Sequence, residues 1–159
     1  MRSTNAMANL RTIATSKCFV ALLIMVSVIW LLYPFVNGLG CSYRFTHDGE
    51  LNLQKGKCRS GVLSVYIENK ASGRVINKTM LWGKRGSEIY TLFISQREVK
   101  PAVATDNQAL YADTFYDNQL LIVGLLLETK QPNQYISVFD YPFDIGYDIT
   151  LFGKTSFFD

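Results

Sequence analysis

The chain has 159 residues, 48% of them hydrophobic, which is enough for one folded domain and too few for two. Its net charge of +3 comes from Arg2, Arg11 and Lys17, because all thirteen acidic residues and the other thirteen basic residues follow the first long apolar run. The remainder is neutral overall, which argues against direct binding of nucleic acid, since that needs a basic face.

The first element in chain order is an uncharged run of 19 residues, Cys18–Val36, which predicts a transmembrane helix. Trp30 and Tyr33 lie towards its far end, where amphipathic rings favour the membrane interface. The cations before the run predict a cytoplasmic stub at residues 1–17 and an exported remainder, as in a single-pass protein of a bacterial inner membrane. A cleaved signal peptide and a lipoprotein cleavage before Cys41 remain alternatives.

The three cysteines divide between the span and the exported part. Cys18 is expected to act as a small apolar residue at the edge of the span. Cys41 and Cys58 fall where thiols oxidise, which favours a disulfide worth about 3 kcal/mol; two free thiols or a bond to a partner are the alternatives. We expect residues 37–60 to form an irregular approach segment that this disulfide staples.

Residues 61–159 predict a β-rich exported domain, because short apolar or alternating runs recur between turn signals. The predicted strands are Gly61–Glu68, Arg74–Trp82, Glu88–Ser95, Gln119–Glu128, Gln134–Asp140 and Tyr147–Phe152. Gly83–Ser87 predicts a hairpin loop, and the nearly continuous apolar run 119–128 predicts a central strand with Gly124 at a bend or bulge. Thr105 or Asp106 is a candidate cap for one short helix. The fold class is therefore all-β, an antiparallel barrel or sandwich with at most one short helix, preceded by a transmembrane helix.

Charge is unevenly distributed along the exported part. Residues 41–100 contain eleven basic and five acidic side chains, and residues 101–159 contain two and eight. The two halves either neutralise each other as neighbouring strands or form separate basic and acidic faces that steer a partner.

Signatures of enzymes are missing from the sequence. His47 is the only histidine, so a multi-histidine zinc site is excluded, and neither a nucleophile elbow nor a phosphate-binding loop occurs. We therefore expect no catalytic residues, no metal and no cofactor.

Two groups of residues are candidates for a functional role. Asp140, Asp144 and Asp148 lie among aromatic residues and, with His47, are candidate pH sensors; a solvated acidic loop is the alternative. The large aromatic content suits a pocket for a small apolar ligand inside a barrel, although an ordinary packed core would need the same residues. The candidate pocket or partner-binding residues are Tyr135, Phe139, Tyr147, Ile149 and Leu151.

The layout resembles a class of accessory proteins. A short basic stub, one span at Cys18–Val36 and a β-rich domain with Cys41 and Cys58 are similar to the periplasmic partners of ToxR-like membrane transcription regulators, a group that includes ToxS, VtrC, PsaF/MyfF and FidL-like proteins. The FidL-like members of this group suggest Val75–Trp82 and Gln134–Phe152 as strands similar to those of the family.

The resemblance implies a lipocalin-like barrel, or part of one, that the regulator's periplasmic domain completes, for example by strand addition at an open edge. It also implies a heterodimer in which this chain stabilises a regulator of fimbrial or virulence genes and tunes its response to acidity, temperature or an apolar ligand. The alternative function is a structural or assembly component of an envelope, pilus or secretion complex.

Overall fold

The structure is a computed structural model that describes residues 4–103, 120–139 and 145–158, with side chains from Phe19 onward except that of Ile145. The side chains of Arg2, Arg11, Lys17 and Cys18 lie outside this description. The chain divides into two compact units, Met1–Tyr33 and Pro34–Asp159.

The only helix among the described residues is α1, Thr4–Gly38. Its segment Phe19–Gly38 has 20 residues and a mean hydropathy of 2.5, so it is long and apolar enough to cross a membrane. The predicted apolar helix is therefore confirmed. Its final turn, Pro34–Gly38, belongs to the second unit, where Pro34, Asn37 and Gly38 are buried.

Eight antiparallel strands form the second unit. They are β1 Ser42–Asp48, β2 Asn52–Arg59, β3 Val62–Asn69, β4 Val75–Arg85, β5 Glu88–Lys100, β6 Leu121–Glu128, β7 Gln134–Phe139 and β8 Ile145–Lys154. Each strand pairs with the next, and β8 pairs with β1 from Ser42↔Lys154 to Thr46↔Thr150, which closes the barrel. The all-β prediction is confirmed, and the predicted helix near Thr105 or Asp106 lies outside the described residues.

Residues 37–60 differ from the expected irregular segment, because they contain β1 and β2. In β1, Tyr43 and Phe45 face the barrel interior and alternate with polar residues that face outward. The inward positions of β2 include Gly56, where an added Cβ would collide with the ring of Phe45. A glycine here makes room for a large ring on the neighbouring strand, so β2 packs well with few apolar residues of its own.

The hairpin predicted at Gly83–Ser87 is confirmed, with a shorter turn. Arg85 and Glu88 already pair, so only Gly86 and Ser87 form the turn, and Gly86 has a φ of 60° that glycine adopts without strain. Of the bend and the bulge predicted as alternatives at Gly124, the bulge is wrong, because the register of β6 is regular on both sides. Gly124 instead gives the ring of Phe139 room, since a Cβ would lie 2.8 Å from Phe139 Cδ1.

A disulfide joins Cys41, just before β1, to Cys58 near the end of β2, as predicted. Both cysteines are buried in the apolar core that fills the barrel. This end of the barrel is also where α1 ends and where β8 leaves the sheet.

The last turn of α1 and the C-terminal residues together cover this end of the barrel. Asn37 Nδ2 donates to the carbonyl oxygen of Lys84 at 2.9 Å, and Asn37 Oδ1 accepts from the backbone N–H of Phe158 at 2.9 Å. Trp82 Nε1 donates to the carbonyl oxygen of Thr155 at 2.8 Å. Since Asn37, Trp82 and Thr155 are all buried, these bonds join helix, barrel and C-terminus away from water.

Candidate functional site

The barrel interior contains an apolar cavity of about 100 Å³. Its walls come from every strand of the barrel. They comprise Tyr43, Phe45, Gln54, Leu63, Val65, Ile67, Lys78, Met80, Trp82, Ile89, Thr91, Ile122, Leu126, Ser137, Phe139, Tyr147, Ile149 and Leu151. Most of these side chains are aliphatic or aromatic, so the cavity favours an apolar group over a charged one.

The size of the cavity restricts what it can hold. A cavity of about 150 Å³ lined by aliphatic and aromatic residues holds benzene, whereas drug-sized ligands occupy pockets of roughly 300–1,000 Å³. The cavity therefore accommodates one small ring or a short alkyl group in this conformation, and the rest of the interior is packed core.

A few polar groups also line the cavity. Lys78 is only 4% exposed, and its Nζ lies 5.9 Å from the centroid of the Phe93 ring, within range of a cation–π contact. The hydroxyl of Thr91 donates to the carbonyl oxygen of Ile122. Burial raises the pKa of the Tyr43 phenol well above its ordinary value of 10.0. Tyr43 therefore stays neutral at physiological pH.

The structure brings together most of the residues predicted for a pocket. Phe139, Tyr147, Ile149 and Leu151 all line the cavity. Tyr135 packs against the edge of the same core without lining the cavity. Their clustering follows from strand pairing, because β7 and β8 are neighbours and these residues occupy inward positions on both.

Of the four candidate pH sensors, the structure places two together. His47 Nδ1 lies 2.8 Å from the backbone carbonyl oxygen of Asp148, and because a carbonyl oxygen only accepts, the Nδ1 atom donates. The His47 ring also packs edge-on against Tyr147, with centroids 4.8 Å apart. Asp140 and Asp144 lie outside the described residues, so a shared acidic site stays a prediction.

The outer surface of β6 and β7 is unusually apolar. Side chains that point away from the interior form one patch, which we call the aliphatic face: Leu121, Val123, Leu125, Leu127, Ile136 and Val138. The register places Leu125 beside Val138 and Leu127 beside Ile136, so the patch is continuous across both strands. All but Val138 are between 37 and 51% exposed. Contiguous apolar patches of this kind mark interaction surfaces.

This face also explains the apolar run that predicted a central strand. In a closed barrel every strand has two neighbours, yet its outward residues still point away from the core. The run 121–127 is therefore apolar on both faces for different reasons: Leu126 packs inside, and Leu125 and Leu127 are exposed. The sequence shows the apolar run directly, whereas the exposed surface is signalled only by apolar residues at both sets of alternate positions.

Acidic side chains border the aliphatic face. On one side, Asp148 on β8 pairs with Ile136. On the other side Leu125 pairs with Glu88, whose carboxylate accepts hydrogen bonds from Tyr90 and Arg85. These two donors hold the pKa of Glu88 below its ordinary value of 4.5. Arg85 already balances the charge of Glu88, so a surface that matches this face is expected to be apolar at its centre with a cation opposite Asp148.

No protein-family model, curated protein or solved structure matches this chain.

Proposed function

We propose that this chain is a non-enzymatic accessory protein, anchored by α1 in a bacterial inner membrane with its barrel in the periplasm. There it binds and stabilises a ToxR-like membrane transcription regulator of fimbrial or virulence genes. The apolar helix, the barrel and the arrangement of charges around the span support this layout.

The aliphatic face is the observation that carries this proposal. Five exposed aliphatic side chains on two paired strands are costly in water and favourable against an apolar partner surface. The barrel is closed by pairing of β1 with β8, so strand addition at an open edge is replaced by contact between faces. A heterodimer of this kind buries the outside of β6 and β7 and leaves the barrel intact.

The test is affinity capture of the tagged full-length protein from gently solubilised native membranes, followed by mass spectrometry. We expect one dominant partner with a cytoplasmic DNA-binding domain and a single span. The double variant Leu125→Gln, Ile136→Gln should lose this partner, because it places two amides in the centre of the aliphatic face.

The matched control is Leu51→Gln, Val99→Gln, which makes the same kind of change at two exposed aliphatic residues outside that face. This control should retain the partner. Recovery of a series of pilus or secretion components, or of no partner, would refute the regulator proposal and favour an envelope structural role.

The cavity favours a second role, binding of a small apolar ligand that tunes the complex. The predicted ligand is no larger than a six-membered ring, because the cavity is about 100 Å³. Benzene should raise the melting temperature of the full chain in lipid nanodiscs, and cholate should not. Leu126→Phe, which fills the cavity, should abolish the increase, whereas Leu127→Phe on the outer face should retain it. An equal response of both variants would exclude the cavity as the binding site.

A further inference from the structure

The end of the barrel that carries the disulfide has an exposed surface of aromatic and basic residues. We call this surface the basal rim and define it by Phe152, Phe157 and Phe158 with Arg44, Lys57, Arg59 and Lys154. All seven are exposed. They surround the place where α1 ends and β1 begins, only four residues apart in the chain.

The length of α1 outside the barrel unit bears on the role of this surface. Exposed apolar helix runs from Phe19 to Tyr33, which is about 22 Å at 1.5 Å per residue. The hydrocarbon core of a bilayer is about 30 Å thick. Lys17 is charged and lies just before this stretch, so the missing length is supplied most simply by Pro34–Gly38. Those five residues belong to the barrel unit and follow the span directly in the chain.

The C-terminal aromatics are tied directly to those residues. Backbone N–H groups of Phe157 and Phe158 donate to the carbonyl oxygen and side-chain oxygen of Asn37, at 3.0 and 2.9 Å. The side chains of Phe157 and Phe158 remain 51 and 72% exposed. Their rings are therefore held beside the last turn of α1, and exposed apolar rings gain free energy by leaving water.

The cationic part of the rim lies on three neighbouring strands. Ser42 pairs with Arg59 on one side and Lys154 on the other, and Arg44 pairs with Lys57 and Phe152. These two neighbouring rows of paired, outward-facing residues contain four cations and no acidic residue. Three ion pairs join described residues elsewhere, Lys70–Asp48, Arg74–Glu98 and Arg85–Glu88, and each lies within residues 41–100. These pairs do not neutralise the rim.

We propose that the basal rim binds the surface of an anionic phospholipid bilayer. Phe157 and Phe158 enter the boundary between headgroups and acyl chains, and the four cations contact phosphate groups. Successive outward residues of a strand are about 7 Å apart. When the first row of cations touches the bilayer surface, the second row is therefore still within the screening length of about 8 Å. This inference rests on the membrane anchor of the proposed function and is independent of the regulator.

The test uses the full chain with Cys18→Ser, a single Phe158→Cys substitution labelled with an environment-sensitive fluorophore, and the native disulfide. The labelled protein is placed in nanodiscs of phosphatidylcholine, with or without about 30% phosphatidylglycerol, and quenched by brominated lipid. A label at Leu51→Cys is the control for a site near the β1–β2 turn, away from the rim. We expect strong quenching at position 158 and little at position 51.

Charge dependence comes from paired variants. Each cation near an anionic surface contributes about fivefold to binding. Arg59→Gln with Lys154→Gln removes two cations and should therefore lower the ratio of membrane-bound to free rim about 25-fold in the anionic nanodiscs. It should have little effect in neutral nanodiscs. Lys70→Gln with Lys100→Gln, which removes two cations far from the rim, should leave the ratio unchanged.

If quenching is the same with and without phosphatidylglycerol, and is unchanged when the rim cations are replaced, the assignment of an anionic lipid partner is overturned. Absence of quenching at position 158 in protein that co-purifies with nanodiscs would overturn the lipid contact and indicate a protein partner for the rim. Failure to enter nanodiscs would overturn both the inference and the anchor. Loss of the captured regulator alone leaves these readouts unaffected, so the two proposals fail separately.

Discussion

Replacing Asn37 by alanine should weaken the whole barrel, because this side chain joins three parts of the chain. The substitution removes the acceptor for the Phe158 N–H and the donor to the Lys84 carbonyl oxygen. An unsatisfied buried partner costs roughly 1–3 kcal/mol, and both of these backbone groups are partly buried. We therefore expect the free energy of unfolding to fall by about 2–4 kcal/mol.

The assay is urea unfolding of the full chain in detergent micelles, with Asn77→Ala as the matched control. Asn77 is exposed on the outer face of β4, so its replacement should change stability by less than about 0.5 kcal/mol. Hydrogen exchange should also accelerate at the amides of Phe157 and Phe158. If Asn37→Ala and the control unfold alike, the bonds of Asn37 do not hold the C-terminus to the barrel.

Three further substitutions test packing and titration. Gly56→Ala should lower the free energy of unfolding, measured by thermal unfolding, by about 1–3 kcal/mol, because the added Cβ meets the Phe45 ring. The control Gly146→Ala should be neutral, since the nearest atom to its added Cβ lies 4.0 Å away. Equal effects of the two variants would contradict the clash. Because the folded pKa of Tyr43 is raised, its stabilising contribution is present below pH 10 and lost as pH rises above it. Tyr43→Phe should therefore reduce the alkaline loss by up to about 1.4 kcal/mol per pH unit; an unchanged slope would argue against deep burial. Because the folded pKa of Glu88 is lowered, its stabilising contribution is present above the ordinary pKa of 4.5 and is lost as pH falls through the folded pKa. Glu88→Gln should therefore make stability less dependent on pH below about pH 5. An unchanged pH dependence in acid would show that Tyr90 and Arg85 do not stabilise the carboxylate.

A strand can be predicted from this sequence where its inward positions are apolar. β3 was predicted nearly to its ends because Leu63, Val65 and Ile67 alternate with polar residues and fill the core. β2 was missed because its inward positions are Gln54, Gly56 and Cys58, which give no apolar alternation. The packing of β2 depends on the Phe45 ring of β1, which lies over Gly56. This contact between two strands cannot be predicted from the sequence of β2 alone.

Closure of the barrel was likewise beyond local patterns. The pairing of Ser42 with Lys154 joins residues more than a hundred positions apart, and no short-range signal specifies it. The cavity residues of β7 and β8 were found because their alternation is local. The basal rim was not, because it assembles cations from β1, β2 and β8 that meet only when the barrel closes.

The pairing of the first strand with the last has a consequence for synthesis. β1 is made first and lacks one of its two neighbours until β8 arrives. Throughout that interval its unpaired N–H and C=O groups form a sheet edge that other chains can join. A chain interrupted before residue 145 keeps that edge permanently. Truncated products should therefore aggregate or be degraded, and the barrel should fold only as a complete unit after its last strand has been delivered.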